Sequence, residues 1–320
     1  MAYPNEHRRH ALAMLGASLM AAGLPSTALA QPARELRIGF QKYGTLTLLK
    51  GRGTLEKRLL EKNVTVKWTE FPAGPVLLEG LNVGSIDFGT VGEAPPIFAQ
   101  AAGANLVYVG HEPASPKTEA VVVPRGSTLR TLADLRGKKI ALNKGSNVHY
   151  LLVKALEKAG IAYTDVTVIF LPPADARAAF ERGAVDAWAI WDPFFAAAEK
   201  QLGARVLVDG TGLVANHQFY LASRPYAEKQ GDIVAIVLDE IAKVDDWGRS
   251  HPAEVAAILA RQTGLDLPVV ELAAGRYSYG VKPLSPEVIA QQQNIADTFT
   301  RLKLIPSSIV VKDAQLASRP

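Results

Sequence analysis

The chain has 320 residues, no cysteine and a formal net charge of +4, with acidic and basic residues interleaved along it. This mild charge, without any run of five lysines or arginines, argues against a nucleic-acid partner. The lack of cysteine excludes disulfides, thiol nucleophiles and thiolate metal ligands.

The first thirty residues form a distinct segment. Basic residues at 8 and 9 precede an apolar run over 11–24, and residues 28–30 are ALA, with small residues at the first and third positions. This order is typical of a secretory signal peptide, so we expect export and cleavage after about Ala30.

The rest of the chain has the pattern of an α/β protein. It contains no run of about eighteen apolar residues, so no transmembrane helix is expected. Its length suits two lobes with separate cores. After residue 34, short β-branched runs alternate with segments of helical period, which is typical of mainly parallel strands.

Two strand–turn segments share one plan. RIGFQKYG (37–44) and KIALNKGS (139–146) each run from a basic residue through an apolar strand to a side-chain amide, Gln41 or Asn143, and then to a glycine before a helix. The offset between them is 102 residues. The match favours two similar α/β units in tandem.

A second pair of segments has nearly the same offset. LLEGLNVGSIDFG (77–89) and ARAAFERGAVDAWA (176–189) are each a helix closed by glycine and followed by an aspartate, Asp87 or Asp186, 99 residues apart. Glycine in such a turn supplies a positive φ, and aspartate stabilises the turn. We therefore interpret both aspartates as structural.

The connections between the units predict a hinge. Proline-rich sequence near 111–123 and a strand with its turn near 215–222 indicate two crossings between lobes. The expected division of the chain is a signal peptide (1–30), the first part of lobe 1 (31–122), lobe 2 (123–216), and the rest of lobe 1 with C-terminal helices (217–320).

The segment LNKGSNVHYLLVKAL (142–156) predicts an anion site. Its apolar residues fall on one helical face, which places Ser146 or Asn147 at the N-cap. The first-turn N–H groups and the positive end of the helix dipole then suit an anion. Alternatively, Ser146 only caps its own helix, and His149, one turn further, is either a ligand donor or solvated.

Strand ends supply the other candidate ligand groups, because ligands of open α/β sheets bind beyond the carboxyl ends of strands. These ends are TVGE (90–93) and IWDP (190–193), with Gln41 at the end of the first strand. Trp191 can supply an apolar wall. Trp188 is expected in the core instead.

Catalytic and cofactor motifs are missing from the sequence. Neither of the two glycine-rich loops that bind nucleotide phosphates, G-x-x-x-x-G-K-[ST] and G-x-G-x-x-G, is present. The four histidines after residue 30 do not have the spacing of metal ligands. No Ser-His-Asp order or close carboxylate pair indicates catalysis. We therefore predict no catalytic residue, metal or cofactor, and an anion that is carried rather than processed.

The sequence resembles the periplasmic aliphatic-sulfonate-binding proteins of ABC importers, within the nitrate, taurine and sulfonate group. The likeness spans about residues 35–310, and its most specific part is ADARAAF joined to DAWAIWDP (174–193). Other matching stretches are IGFQKYG, EFPAGPVLLEGLNVGSIDFG, GEAPPIFAQAAGANLVYVG and KGSNVHYLLVKALEKAG.

This resemblance implies a type II periplasmic-binding-protein fold, with two α/β lobes, a two-crossing hinge and a cleft that closes on ligand. It implies a monomeric receptor that captures a small organosulfonate and delivers it to the permease subunits of an ABC importer. The positions that it places in the cleft are Gln41, Thr90, Gly92, Glu93, Ser146, Asn147, His149, Trp191 and Asp192.

Other functions remain open. The ligand is alternatively taurine, a nitrate-like anion or a pyrimidine precursor. A desulfinase-like enzyme on the same fold is disfavoured because it would need a thiol nucleophile. A sulfonate is a monoanion with three acceptor oxygens, so neutral donors suit it: backbone N–H groups, Ser146, Thr90, Gln41 and Asn147.

Overall fold

The computed structural model of the protein describes residues 34–316, so the predicted signal peptide and its cleavage site lie outside the described residues. The strands of this range are β1 (Arg34–Phe40), β2 (Val64–Glu70), β3 (Phe88–Gly92), β4 (Leu106–His111), β5 (Glu119–Val123), β6 (Lys139–Leu142), β7 (Thr167–Phe170), β8 (Ala187–Trp191), β9 (Arg205–Asp209) and β10 (Gln218–Ser223). The helices are α1 (Gly44–Arg52), α2 (Thr54–Leu60), α3 (Gly74–Asn82), α4 (Pro95–Ala101), α5 (Asn147–Lys158), α6 (Pro173–Glu181), α7 (Phe194–Leu202), α8 (Arg224–Lys229), α9 (Gly231–Ser250), α10 (Pro252–Thr263), α11 (Leu267–Arg276) and α12 (Pro286–Arg301). Within 34–316, no helix is both long and apolar enough to cross a membrane.

The strands form two five-stranded sheets of the same design. The first has the order β2-β1-β3-β10-β4 and the second β7-β6-β8-β5-β9. In each sheet one strand runs antiparallel to its neighbours, β10 in the first and β5 in the second. The α/β class with two similar units is therefore confirmed.

The repeated aspartates have equivalent structural roles. Asp87 accepts the backbone N–H of Arg37 at 2.9 Å, and Asp186 accepts that of Lys139 at 2.8 Å. Each carboxylate thus ties the turn before one strand to the neighbouring strand, Asp87 to β1 and Asp186 to β6. Their interpretation as structural residues is confirmed, and the shared contact explains the repeat.

The parallel strands place helix N-termini at one edge of each sheet. α1, α3 and α4 follow β1, β2 and β3 in the first sheet, and α5, α6 and α7 follow β6, β7 and β8 in the second. Because the carboxyl ends of parallel strands share an edge, the positive ends of these helices gather there. This edge is where the site lies.

Two segments connect the lobes. The chain leaves the first sheet after β4 and returns to it at β10, through residues 112–118 and 210–217. The segments lie side by side, because the N–H of Ser115 donates to the Ala215 carbonyl at 3.0 Å. The Asn216 amide also donates to Ser115 O at 3.1 Å and to Thr118 Oγ1 at 2.8 Å. The fold is thus two α/β lobes joined by a two-crossing hinge.

Candidate functional site

A cavity lies between the lobes, at the edge where the helices begin. About 50 Å³ of it is open to the centre of a water molecule, several times the roughly 10–15 Å³ that one water needs. Its wall includes two residues of the hinge, Thr118 and Asn216. It also includes Gln41 and Trp191, which lie at the ends of β1 and β8. Its position and size suit a small ligand held by both lobes.

Helix N-termini form one end of the cavity. Gly44 begins α1, Gly74 begins α3, and Ser146 directly precedes α5, and all three line the cavity. No side chain of an N-cap residue caps any of these three helices. Uncapped first-turn N–H groups and the positive helix ends attract an anion. The cavity therefore offers an anion three helix N-termini from the two lobes.

The charged side chains near the cavity are already paired. Among the described residues that line the cavity, only Lys42 and Asp192 have charged side chains. The Lys42 ammonium lies 3.4 Å from the carboxylate of Glu70. Asp192 accepts the N–H of Ala196 in the first turn of α7 at 2.9 Å, and its carboxylate lies 3.4 Å from Arg276. The attraction for an anion therefore comes mainly from backbone dipoles.

Six of the nine predicted site residues line the cavity: Gln41, Gly92, Ser146, Asn147, Trp191 and Asp192. The amide and hydroxyl donors among them are engaged within the protein. The Gln41 amide donates to Tyr43 Oη at 3.2 Å and to Thr90 O at 3.3 Å, and the Ser146 hydroxyl donates to the Asn143 carbonyl at 2.7 Å. These groups shape the walls, so the expected role of neutral side-chain donors passes largely to backbone N–H groups.

Asn147 joins the two lobes across the cavity. Its Oδ1 accepts the N–H of Ala94 at 3.3 Å, and its Nδ2 donates to the Asn216 side chain in the hinge. Gly92 leaves the room for this amide, because a Cβ there would overlap it. Asn147 thus connects α5 with the start of α4 and with the hinge.

The other three predicted residues, Thr90, Glu93 and His149, are buried behind the wall and do not line the cavity. The Thr90 hydroxyl donates to the Phe219 carbonyl of β10 at 3.2 Å. His149 is neither solvated nor a ligand donor here, since its Nε2 lies 2.8 Å from Tyr163 Oη and its ring packs near Phe98 and Phe299. Burial lowers the pKa of His149 to about 4, so the ring stays neutral. The expectation that Thr90, Glu93 and His149 face the cleft is therefore not met.

Two buried carboxyl groups lie close to the site. Glu93 accepts the N–H of His217 at 3.1 Å with one oxygen, while its other oxygen and both oxygens of Glu119 have no partner among the described residues. Burial raises the pKa of Glu93 to about 7. Burial, with the nearby charge of Glu93, raises the pKa of Glu119 well above its usual range. Burial therefore disfavours the charged form of both carboxyls, which reduces the negative charge near the anion site.

We expect the free energy of unfolding to fall as the pH rises from 4.5 to about 7, because of Glu93. Its carboxyl has a pKa of 4.5 as a free group and of about 7 when buried, so the stabilising neutral form is fully present below 4.5 and lost through about 7. The shift corresponds to roughly 3 kcal/mol. Urea unfolding across this pH range should show a smaller slope in Glu93→Gln than in the parent. Equal slopes would assign the effect to other groups.

One wall of the cavity was not predicted from the sequence. It consists of residues on α10 and α11: Leu259, Thr263, Val270, Ala273 and Ala274. Apolar helical spacing looks the same for a ligand wall and for core packing, so no sequence signal distinguished them. Gly74 was also missed, although the rule of strand ends applies to it, because it begins the helix after β2.

Two α/β lobes with a two-crossing hinge and a ligand-sized cleft at the strand ends define the class of type II periplasmic binding proteins. The family model described as NMT1/THI5 like matches residues 64–255. This chain belongs to that family.

Three of the similar proteins are named for sulfonate binding. A putative aliphatic sulfonates-binding protein of Escherichia coli (strain K12) is 46% identical over 306 residues, which cover 95% of each chain. The alkanesulfonate-binding protein from Xanthomonas axonopodis pv. citri, solved bound to MOPS, has a TM-score of 0.84 at 46% identity, over 90% of this chain and 99% of that one. The periplasmic aliphatic sulphonate binding protein from Escherichia coli has a TM-score of 0.80 at 47% identity, over 90% and 95%.

Proposed function

We propose that this protein is a periplasmic receptor that captures a small organosulfonate between its lobes and delivers it to the permease subunits of an ABC importer. The observation that carries the proposal is the meeting of three uncapped helix N-termini, from the two lobes, at one cavity. A sulfonate offers three oxygens and one permanent negative charge to such donors. The names of the similar proteins favour a sulfonate over other anions.

The site is suited to holding its ligand rather than transforming it. The Ser146 hydroxyl is bonded to a backbone carbonyl, and His149 lies behind the wall, so neither forms a nucleophile–base pair facing the cavity. Within residues 34–316, no group of three or more histidines and carboxylates could hold a metal ion. The similar proteins of 46–47% identity are named as binding proteins.

The location and organisation of the chain follow from the same proposal. Residues 1–30 act as a signal peptide that is cleaved after about Ala30, and the mature protein is a monomer. The lobes divide near residues 122 and 216, with one change. β5 pairs with β8 and β9 of the second sheet, so it belongs to lobe 2, and the first crossing ends before it.

Calorimetric titration of the mature protein tests the proposal. The panel contains methanesulfonate, hexanesulfonate, taurine, nitrate, sulfate and a pyrimidine precursor at one pH and salt concentration. We expect saturable one-to-one binding of at least one alkanesulfonate, unchanged after long incubation, and weaker binding of nitrate and sulfate. Preference for nitrate or for the pyrimidine precursor would replace the proposed ligand. Conversion of a sulfonate or sulfinate would replace the receptor with an enzyme.

A further inference from the structure

We propose that closure of the cleft takes up protons at Glu93 and Glu119, so that the receptor binds its ligand more tightly as the pH falls. The two carboxyl groups come from opposite lobes and lie beside the hinge. The inference rests on the proposed function, because it concerns how binding between the lobes is regulated. A sulfonate is a permanent monoanion, so a proton taken up on binding belongs to the protein.

Both carboxyl groups are buried where the two lobes meet. Glu93 directly follows β3 of the first sheet and is 2% exposed, whereas Glu119 begins β5 of the second sheet and is 0% exposed. Their neighbours in the chain, Gly92 and Thr118, line the cavity. The pair therefore lies one residue behind the cavity wall, on both sides of the contact between the lobes.

Most oxygens of the pair have no hydrogen-bond donor among the described residues. Glu93 Oε2 accepts the N–H of His217 at 3.1 Å, but Glu93 Oε1 and both oxygens of Glu119 have no partner there. Within residues 34–316, no cation offsets the charge of either group. A buried carboxylate without donors or a cation is costly to ionise, and two such groups also repel each other. The closed arrangement therefore favours protonated carboxyl groups.

The contact between the lobes covers Glu93. The N–H of the next residue, Ala94, donates to Asn147 of the second lobe at 3.3 Å, and a Cβ on the preceding Gly92 would overlap the same amide. Glu93 thus lies between two residues that touch Asn147. When the lobes separate, α5 withdraws together with Asn147 and water reaches the end of β3. The carboxyl then ionises at its ordinary pKa.

The other titratable groups around the pair do not supply a compensating charge. Tyr43 of the first lobe and Tyr150 of α5 face the pair, and burial raises the pKa of both phenols, that of Tyr150 to about 12. Neither phenol therefore changes its charge between pH 5 and pH 8. The ring nitrogens of His217 lie 2.8 Å from the Glu112 carbonyl oxygen and 3.2 Å from the Gln291 side chain, so the ring has partners outside the pair.

The direction of the pH effect follows from the open and closed forms. Burial raises the pKa of Glu93 to about 7 in the closed form, against 4.5 for the free group. Proton uptake on closure is therefore largest between these two values. The gain in affinity is fully present below 4.5 and is lost as the pH rises through about 7. The pKa of Glu119 is raised well above its usual range, which extends the effect to higher pH.

Titration calorimetry of the parent with methanesulfonate measures the proton uptake, when the heat of binding is compared between buffers that differ in ionisation enthalpy. At pH 6 we expect uptake of about one proton or more per bound ligand. From pH 5 to pH 7 the Kd should rise about tenfold or more. Binding without proton uptake would overturn the inference and leave the receptor function standing. If the parent bound no sulfonate at all, both would fall.

Glutamine variants assign the protons to the pair, because they keep the size of the side chain and remove the titrating group. Glu93→Gln and Glu119→Gln should each reduce the proton uptake and flatten the dependence of Kd on pH, with folding checked by a thermal melt. The matched control is Glu35→Gln, the same change at an exposed glutamate of β1, which should leave the uptake unchanged. Uptake equal to that of the parent in both variants, or abolished by Asp192→Asn alone, would show that the pair has no role.

Discussion

Replacement of Gly92 by alanine is expected to remove most of the ligand affinity while leaving the protein folded. The added Cβ would overlap the Asn147 amide, which has to rotate away and give up its bonds to Ala94 and Asn216. Loss of this bridge between α5, α4 and the hinge should weaken the closed state. We expect a ten- to hundredfold rise in Kd, about the effect of losing one or two buried hydrogen bonds.

Calorimetry measures the Kd of the Gly92→Ala variant, and small-angle scattering measures closure. The parent should become more compact with saturating methanesulfonate, and the variant should not. The matched control is Gly126→Ala, because a Cβ at this exposed glycine meets nothing within 4 Å. Normal affinity and normal closure in Gly92→Ala would show that the Asn147 bridge has no role in binding.

Replacement of Arg276 by alanine should lower both stability and affinity. The guanidinium lies 2.5 Å from Glu199 and 3.4 Å from Asp192, and it stacks 4.0 Å over the Phe195 ring. Its removal leaves two acidic side chains without their cation, one of them in the wall of an anion site. We expect the free energy of unfolding to fall by about 3 kcal/mol. This value is the lower end of the range for breaking a buried ion pair, because Glu199 is partly exposed.

A double variant separates the charge effect from lost packing. Burial raises the pKa of Asp192 to about 7 although Arg276 acts against this rise. Without Arg276 this carboxyl is therefore still more costly to ionise, and Asp192→Asn in the Arg276→Ala background removes that cost. Part of the stability and most of the affinity should return. Chemical unfolding and titration with methanesulfonate measure the two effects. If Asp192→Asn restores neither, Arg276 acts through its packing on Phe195 and not through charge.

The sequence predicted the fold well because the fold depends on local patterns repeated in tandem. The strand–amide–glycine plan at Gln41 and Asn143 precedes a helix in each lobe, and Asp87 and Asp186 make the same contact in each. Trp188 is 1% exposed, as expected for a core residue. These features depend on neighbours that lie close in the chain or one strand away.

The site was predicted only in part because side-chain direction depends on distant partners. His149 follows the anion-site turn in sequence, yet the aromatic rings of Tyr163, Phe98 and Phe299 hold it in the core. Likewise, Thr90 lies in a correctly predicted strand, but its hydroxyl donates to Phe219 of β10, which joins this sheet only after the second crossing. Helical spacing alone could not show that α10 and α11 border the cavity.

The position of β10 imposes an order on the formation of this protein. β10 lies between β3 and β4, so β4 has no partner strand in the first sheet until residues 218–223 arrive. Those residues follow every strand of the second sheet in the chain. The lobe that begins first is therefore completed last, by pairing across more than a hundred residues, and such distant contacts form slowly. The first sheet of a chain that emerges from its N-terminus thus stays incomplete until residues 218–223 have appeared.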